Sequence, residues 1–263
     1  MINPSQKSQR TKQIALLTIF TALYIVLRFI PFSMLIGPTG GFLSLSDFLA
    51  PIYGILLGPY FGGLSVALGN FAAIGLGRPM TFYGLDFLPD FMAAISTGFL
   101  SQGKRSKWAI VVAINLALLG IFLVNPLTVN LIASIPFAWL HIAALIVLIS
   151  PLSLMAAKWL QTLDRAKLVA GVAIFAFIGA LIQHLTGNIL FEVVLGQLTG
   201  SIPTAAYPGI WTSVFLVYPV ERTILIISAT IIGTPLLYLL NKNPTLNPRN
   251  MIMPQKPKEP QQT

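Results

Sequence analysis

The sequence predicts an all-α membrane protein, a polytopic bundle of about eight transmembrane helices with both termini in the cytoplasm. Three observations carry that reading. Of the 263 residues, 56% are hydrophobic and only 9% charged, and the mean hydropathy is +0.82, too little charge to cover a soluble domain. Apolar runs close to the ~20 residues that cross a bilayer recur along the chain. They are continuous rather than alternating, which favours helices over a barrel. Finally, the Lys and Arg residues fall in clusters between alternate runs.

The first helix spans Ile14 to Ile30 and ends at Pro31. A basic stretch (Lys7, Arg10, Lys12) precedes it, but the run exceeds a signal-peptide core and lacks an Ala-x-Ala site, so it reads as an uncleaved span. The second starts near Ser46-Asp47, a candidate N-cap, and stops at Gly58-Pro59. That dipeptide breaks an overlong run, so Pro59 opens a third helix that ends near Gly77. The remaining helices run from about Gly84 to Leu100, Trp108 to Val124, Val129 to Ala157, Leu168 to Leu195 and Ser213 to Leu240. Residues 1–12 form a cytoplasmic basic leader, 13–241 the membrane domain, and 242–263 a Pro-, Gln- and Lys-rich cytoplasmic tail expected to be disordered.

The positive-inside rule tests this count. With the N-terminus inside, the cytoplasmic segments hold thirteen of the sixteen basic residues, in clusters around Lys7, Lys104, Arg165 and Arg249, and the external loops hold only Arg78. The net charge of +9 is thus a topology signal rather than a nucleic-acid footprint. On the third helix, Gly69, Ala73 and Gly77 repeat every four residues, the spacing of close helix packing.

Ionisable groups in hydrocarbon cost about 2.5–3.5 kcal/mol each on insertion scales, so their depths matter. His184, Asn188 and Glu192 are spaced as one stripe on the outer half of the seventh helix. Tyr218, Glu221 and Arg222 share the outer half of the eighth, Trp139 and His141 that of the sixth, and Asp86 and Asp90 the first turns of the fourth. Arg28 lies near the outer end of the first helix and Asp47 at the start of the second. Caps explain some of these singly, but their shared depth predicts an outward-facing polar pocket walled by Trp139, Tyr207, Trp211 and Tyr218. Counting Glu192, five carboxylates face three arginines there, which favours a cationic or zwitterionic ligand such as a thiamine-like or pyrimidine ring.

No catalytic motif is legible. Gly98 to Arg105 resembles a P-loop, but Arg105 stands where Ser or Thr must hold magnesium, and a helix rather than a strand precedes it. There are no cysteines, which excludes disulfides and thiolate chemistry, and no metal or cofactor motif appears. The chain therefore reads as a non-enzyme.

The first hundred residues resemble the substrate-binding S components of energy-coupling-factor vitamin transporters. The resemblance rests on the basic leader before Ala15-Leu-Leu-Thr18, on Ala22 and Arg28 to Pro31, on Gly40-Gly-Phe-Leu-Ser-Leu-Ser-Asp47, and on Gly54-Ile-Leu-Leu-Gly58-Pro59-Tyr-Phe-Gly62-Gly63 leading to Leu68-Gly69-Asn70. It implies uptake of a vitamin or precursor, docked on a transmembrane coupling subunit and two ATPases. It also implies a docking face on the first helix, where Ala15, Thr18 and Ala22 come nearest to the family's Ala-x-x-x-Ala spacing. Such proteins usually have six helices. The expected function is a multi-pass cell-membrane component that binds a small organic micronutrient among membrane lipids. Two alternatives stay open, a proton-coupled secondary transporter relaying through Glu192, His184 and Asp90, and a membrane enzyme using Asp86 and Asp90.

Overall fold

A computed structural model of the chain describes residues 4–34, 42–129, 137–243, 245 and 247–249. Helix α1 (Pro4–Arg28) begins inside the expected leader, so residues 4–12 continue the first span as helix. A two-stranded antiparallel hairpin follows, β1 (Pro31–Met34) and β2 (Phe42–Ser44), paired from Pro31↔Ser44 to Met34↔Phe42. The Gly40-Gly41 part of the resemblance lies outside the described residues.

Helix α2 (Leu45–Gly75) starts one residue after Ser44 rather than at Ser46-Asp47. The carboxylate of Asp47 accepts from the Ser44 backbone N–H and hydroxyl, so the acid closes a capping arrangement instead of acting as the cap itself. This element is interrupted where the sequence predicts a break. Gly58 has φ 74° and ψ 177°, a conformation open to glycine and followed by Pro59. A Cβ on Gly62 would lie 2.8 Å from the Tyr53 carbonyl oxygen. In a straight helix those residues would be about 13 Å apart, so the chain folds back at Gly58. Residues 45–57 and 59–75 are two antiparallel arms.

Prolines in these arms free carbonyls, and distant side chains satisfy them. Pro51 cannot donate to the Asp47 carbonyl, which instead accepts from Gln183 Nε2 at 3.2 Å. Pro59 leaves the Ile55 carbonyl open, and Arg249 Nε donates to it at 2.7 Å. That bond is the described part of the C-terminal tail; most of the segment expected to be disordered lies outside the described residues.

The 45–57 arm is the centre of the bundle. Lipid tails give no hydrophobic reason for helices to associate, so close approach through small residues holds them. A Cβ on Gly54 would meet the Ala94 carbonyl oxygen at 2.0 Å, one on Gly179 would meet Thr97 and Pro51, and one on Gly233 would meet Ile52. Gly69 packs under the Tyr24 ring, which makes the 69/73/77 repeat an intramolecular contact at its first position.

Helix α3 (Leu88–Leu100) has 13 residues, about 20 Å of helix, and so is shorter than the hydrocarbon core. Its start lies four residues beyond the expected Gly84. Gly98 on this helix abuts Pro59, which explains that glycine by packing rather than by phosphate binding. Then come α4 (Arg105–Val124), the single turn α5 (Pro126–Val129), α6 (Trp139–Ile149) and α7 (Pro151–Trp159), the last two bent by 70° at Ser150-Pro151. The expected sixth span is therefore a broken helix, with its early part outside the described residues. Helix α8 (Arg165–Leu190) is capped by Asp164, which accepts from Ala166 and Lys167 N–H at 3.0 and 3.2 Å. It runs into a π-helical segment (Phe191–Leu198), and α9 (Tyr207–Lys242) closes the chain.

Among the described residues, five helices are long and apolar enough to cross a membrane, or six if the bent pair counts as one span. The chain is a multi-pass all-α membrane bundle.

Candidate functional site

A cleft with about 940 Å³ of empty space, open solvent at its mouth included, lies between α1, β2, the first arm of α2, the 76–87 loop, α3, α8 and α9. Arg28 is its structural hub. The end of α1 brings this guanidinium, 6% exposed, between the two arms of α2. Its Nη1 lies 2.8 Å from Asp47 Oδ1 and 3.6 Å from Asp90 Oδ2. Its Nε donates to Asn70 at 3.2 Å and Nη2 to the Asp86 carbonyl at 3.3 Å. A buried charge is tolerated only when paired and bonded in this way.

Each carboxylate of the cavity has protein donors. Asp90 accepts from the Tyr24 hydroxyl at 2.5 Å and from Gln183 Nε2. Asp86 is not in a helix; it accepts the backbone N–H groups of Thr81 at 2.7 Å and Phe82 at 3.1 Å and so shapes the 76–87 loop. Glu221 accepts from the Ser33 hydroxyl, which ties β1 to α9, and lies 3.9 Å from Arg222. Arg78, in the loop, donates to the carbonyls of Arg28 and Phe42 and lies over the Phe42 ring at 4.5 Å. Burial, reinforced by the charge of Arg28, holds its guanidinium below the ordinary value.

The far wall is aromatic. His184 and Tyr218 rings lie 4.9 Å apart at 21°, and His141 lies behind them with its Nε2 3.1 Å from His184 Nδ1. Phe137 extends the group, 5.1 Å from Tyr218, and the Tyr218 hydroxyl donates to the Phe137 carbonyl at 2.6 Å. These near-parallel rings stack on one another as a continuous aromatic wall.

Of the residues singled out from sequence, His184, Asn188, Tyr218, Glu221, Arg222, Asp86 and Asp90 line the cavity. His141 stands one layer back, and Trp139 is 48% exposed outside it. Glu192 is fully buried away from the lining and accepts from the Thr128 hydroxyl. The stripe fails there for a geometric reason. Eight residues of α-helix accumulate about 80° of rotation, and the π-helical segment from Phe191 alters the phase again. Phe191 takes the lining position instead.

Trp211 lines the cavity, whereas Tyr207 is buried behind it and donates to the Phe191 carbonyl at 2.7 Å. Gln183 is the principal residue the sequence reading missed. It joins Asp90, Asp47 and Arg222, the last at 3.4 Å, and its only signal was an amide inside an apolar run. On the outside of the bundle, Ala15, Thr18 and Ala22 are exposed on α1, and the Thr18 hydroxyl donates to the Ile14 carbonyl at 3.0 Å. Among the described residues, no group of three or more His, Asp or Glu is placed to hold a metal ion.

A family model described as "ECF transporter, substrate-specific component" matches residues 12–185. An uncharacterised protein of Methanocaldococcus jannaschii is 29% identical over 175 residues, covering 66% of this chain and 56% of that protein. The chain thus spans little more than half the length of that relative. No solved structure matches. The family match ends before Asn188 and all of α9, so nine of the 21 lining residues lie beyond it.

Proposed function

The chain belongs to the substrate-specific components of energy-coupling-factor transporters, and from that premise we propose that it captures a small organic micronutrient, a vitamin or precursor, from outside the cell and delivers it through an ATP-driven energising module. As a family member it is a membrane substrate-binding component rather than an enzyme. The observation that carries the finer reading is the cavity itself. It combines a rigid polar floor around Arg28, Asp47 and Asp90 with an aromatic wall of His184 and Tyr218, the makeup of a small-molecule site.

Its orientation follows from charge. Contacts join Lys107 to Phe99, Gly103 to Ala157 and Arg165 to Tyr238 at the end of the bundle opposite the cavity. If these basic segments are cytoplasmic, the cavity faces outward. Eight passes with both termini inside then account for the fold, with the two arms of α2 counted as two crossings, the short α3 as one and the bent α6–α7 pair as one. The exposed Ala15, Thr18 and Ala22 face of α1 is the proposed surface for the transmembrane coupling subunit, since small side chains allow close helix approach.

The test is binding by the purified chain alone. A thermal-shift screen of water-soluble vitamins and their precursors should find a compound that raises the melting midpoint without ATP or partner subunits. A screen in which no such compound stabilises the protein would contradict the proposal.

A further inference from the structure

The hydrogen-bond inventory of the cavity is lopsided, and the imbalance bears on what fills it. Three of its four carboxylates, Asp47, Asp86 and Asp90, each receive two or more protein donors, and the fourth, Glu221, accepts from Ser33 and lies 3.9 Å from Arg222. The buried lining atoms without a partner are donors. Arg222 lines the cavity at 3% exposure, yet its Nε has no acceptor, its Nη1 reaches only the Gln183 carbonyl oxygen at 3.4 Å, and its Nη2 lies 3.9 Å from Glu221. Asn188, 6% exposed and also in the lining, has no partner for its amide nitrogen. Buried donors without acceptors are costly, and the cavity is the non-protein space beside both. The same lining includes His184 and Tyr218, whose rings stack on each other 4.9 Å apart.

Resting on the reading of this cavity as the substrate site, we infer that its ligand is a planar heteroaromatic compound that presents acceptors, a carboxylate or ring carbonyls, to Arg222 and Asn188 and lies against the aromatic wall that His184 and Tyr218 form. The ligand is not a cation. Arg222 would repel one; Asp47, Asp86 and Asp90 are engaged by Arg28, Gln183, Tyr24 and backbone N–H groups, and Glu221 is the carboxylate paired with Arg222 itself. Arg222 and Asn188 lie beyond residues 12–185, the stretch that the family model matches.

Two ring sets with matched shapes separate the chemistries. One comprises orotate, uracil and a cationic aminomethylpyrimidine, and the other nicotinate, nicotinamide and N-methylnicotinamide. Dissociation constants are measured on the full chain in detergent, for wild type, Arg222→Gln, Arg222→Lys and Asn188→Asp. In at least one set the anionic or carbonyl-bearing member should bind tightest. Arg222→Gln should weaken that member at least tenfold, with Arg222→Lys intermediate. Asn188→Asp, which turns a donor into a negative acceptor, should also weaken it at least tenfold and serves if the Arg222 variants do not fold. Preferential binding of the cationic members, unweakened by Arg222→Gln, would overturn the ligand class while leaving the binding function intact. Failure of every member of both sets to bind, in a protein whose midpoint a vitamin does raise, would also overturn it. Failure with no stabilising vitamin would remove the binding function as well.

Discussion

Arg28 and Arg222 carry the same charge in the same cavity, yet their surroundings assign them opposite roles. Arg28 has acceptors at Nε, Nη1 and Nη2, so it holds the helices together, whereas Arg222 keeps an unbonded Nε. Removing a partner of the first network should therefore damage folding. Asp47→Ala removes the carboxylate 2.8 Å from Arg28, and unfolding in detergent should show a loss of about 3–5 kcal/mol, the range for breaking a buried ion pair. Glu192 belongs with the structural group. Glu192→Gln should lower the ligand-free melting midpoint, by an amount equivalent to about 1–3 kcal/mol, and leave ligand-induced stabilisation unchanged; a normal midpoint with lost stabilisation would return it to the site. At this scale the sequence was informative about charge and poor about direction. A charged residue in an apolar run is conspicuous, which exposes Arg28, Asp90 and Arg222. Gln183, uncharged, is not, and nothing in spacing alone shows that Glu192 turns away.

The elements depend on where backbone groups are left open. The reversal at Gly58 requires a positive φ, so Gly58→Ala should cost about 1–3 kcal/mol of stability by the usual penalty for such strain. Gly54→Ala should be worse, because its methyl group would meet a backbone oxygen at 2.0 Å, which cannot rotate away. Gly209→Ala, with open space around it, should be tolerated, and expression with a monodisperse elution profile separates the three. The break at Gly58-Pro59 is legible in sequence because glycine and proline each act locally. The start of α3 is not, since Asp86 looks like a first-turn acid but folds back on Thr81 and Phe82 N–H. The kink at Ser150-Pro151 has the same kind of local signal in Pro151, which a single span over 129–157 passes over. Hydropathy reports depth along the chain, while caps and bends depend on which donors are free.

At the scale of the whole molecule, the basic clusters and the cavity lie at opposite ends of one bundle, which couples topology to function. Reporter fusions after Lys107 and Lys167 should report cytoplasm, and fusions near Thr128 and Pro203 the exterior. A cytoplasmic signal at Pro203 would put the ends of α8 and α9 on the wrong side and turn the cavity inward. The segregation of polar residues to one depth was legible from the sequence, because hydrocarbon penalises each of them. The split between structural and ligand-facing groups within that cluster was not, because it depends on contacts between helices as distant as α1 and α8. The central claim is that this chain binds substrate itself but cannot move it alone. It is tested most directly by uptake of the bound compound into proteoliposomes containing the chain with or without the coupling subunit, ATPases and ATP. The account predicts uptake only with the full module and ATP, and none from the chain alone under a pH gradient. Uptake by the chain alone, driven by that gradient, would contradict it and identify a secondary transporter.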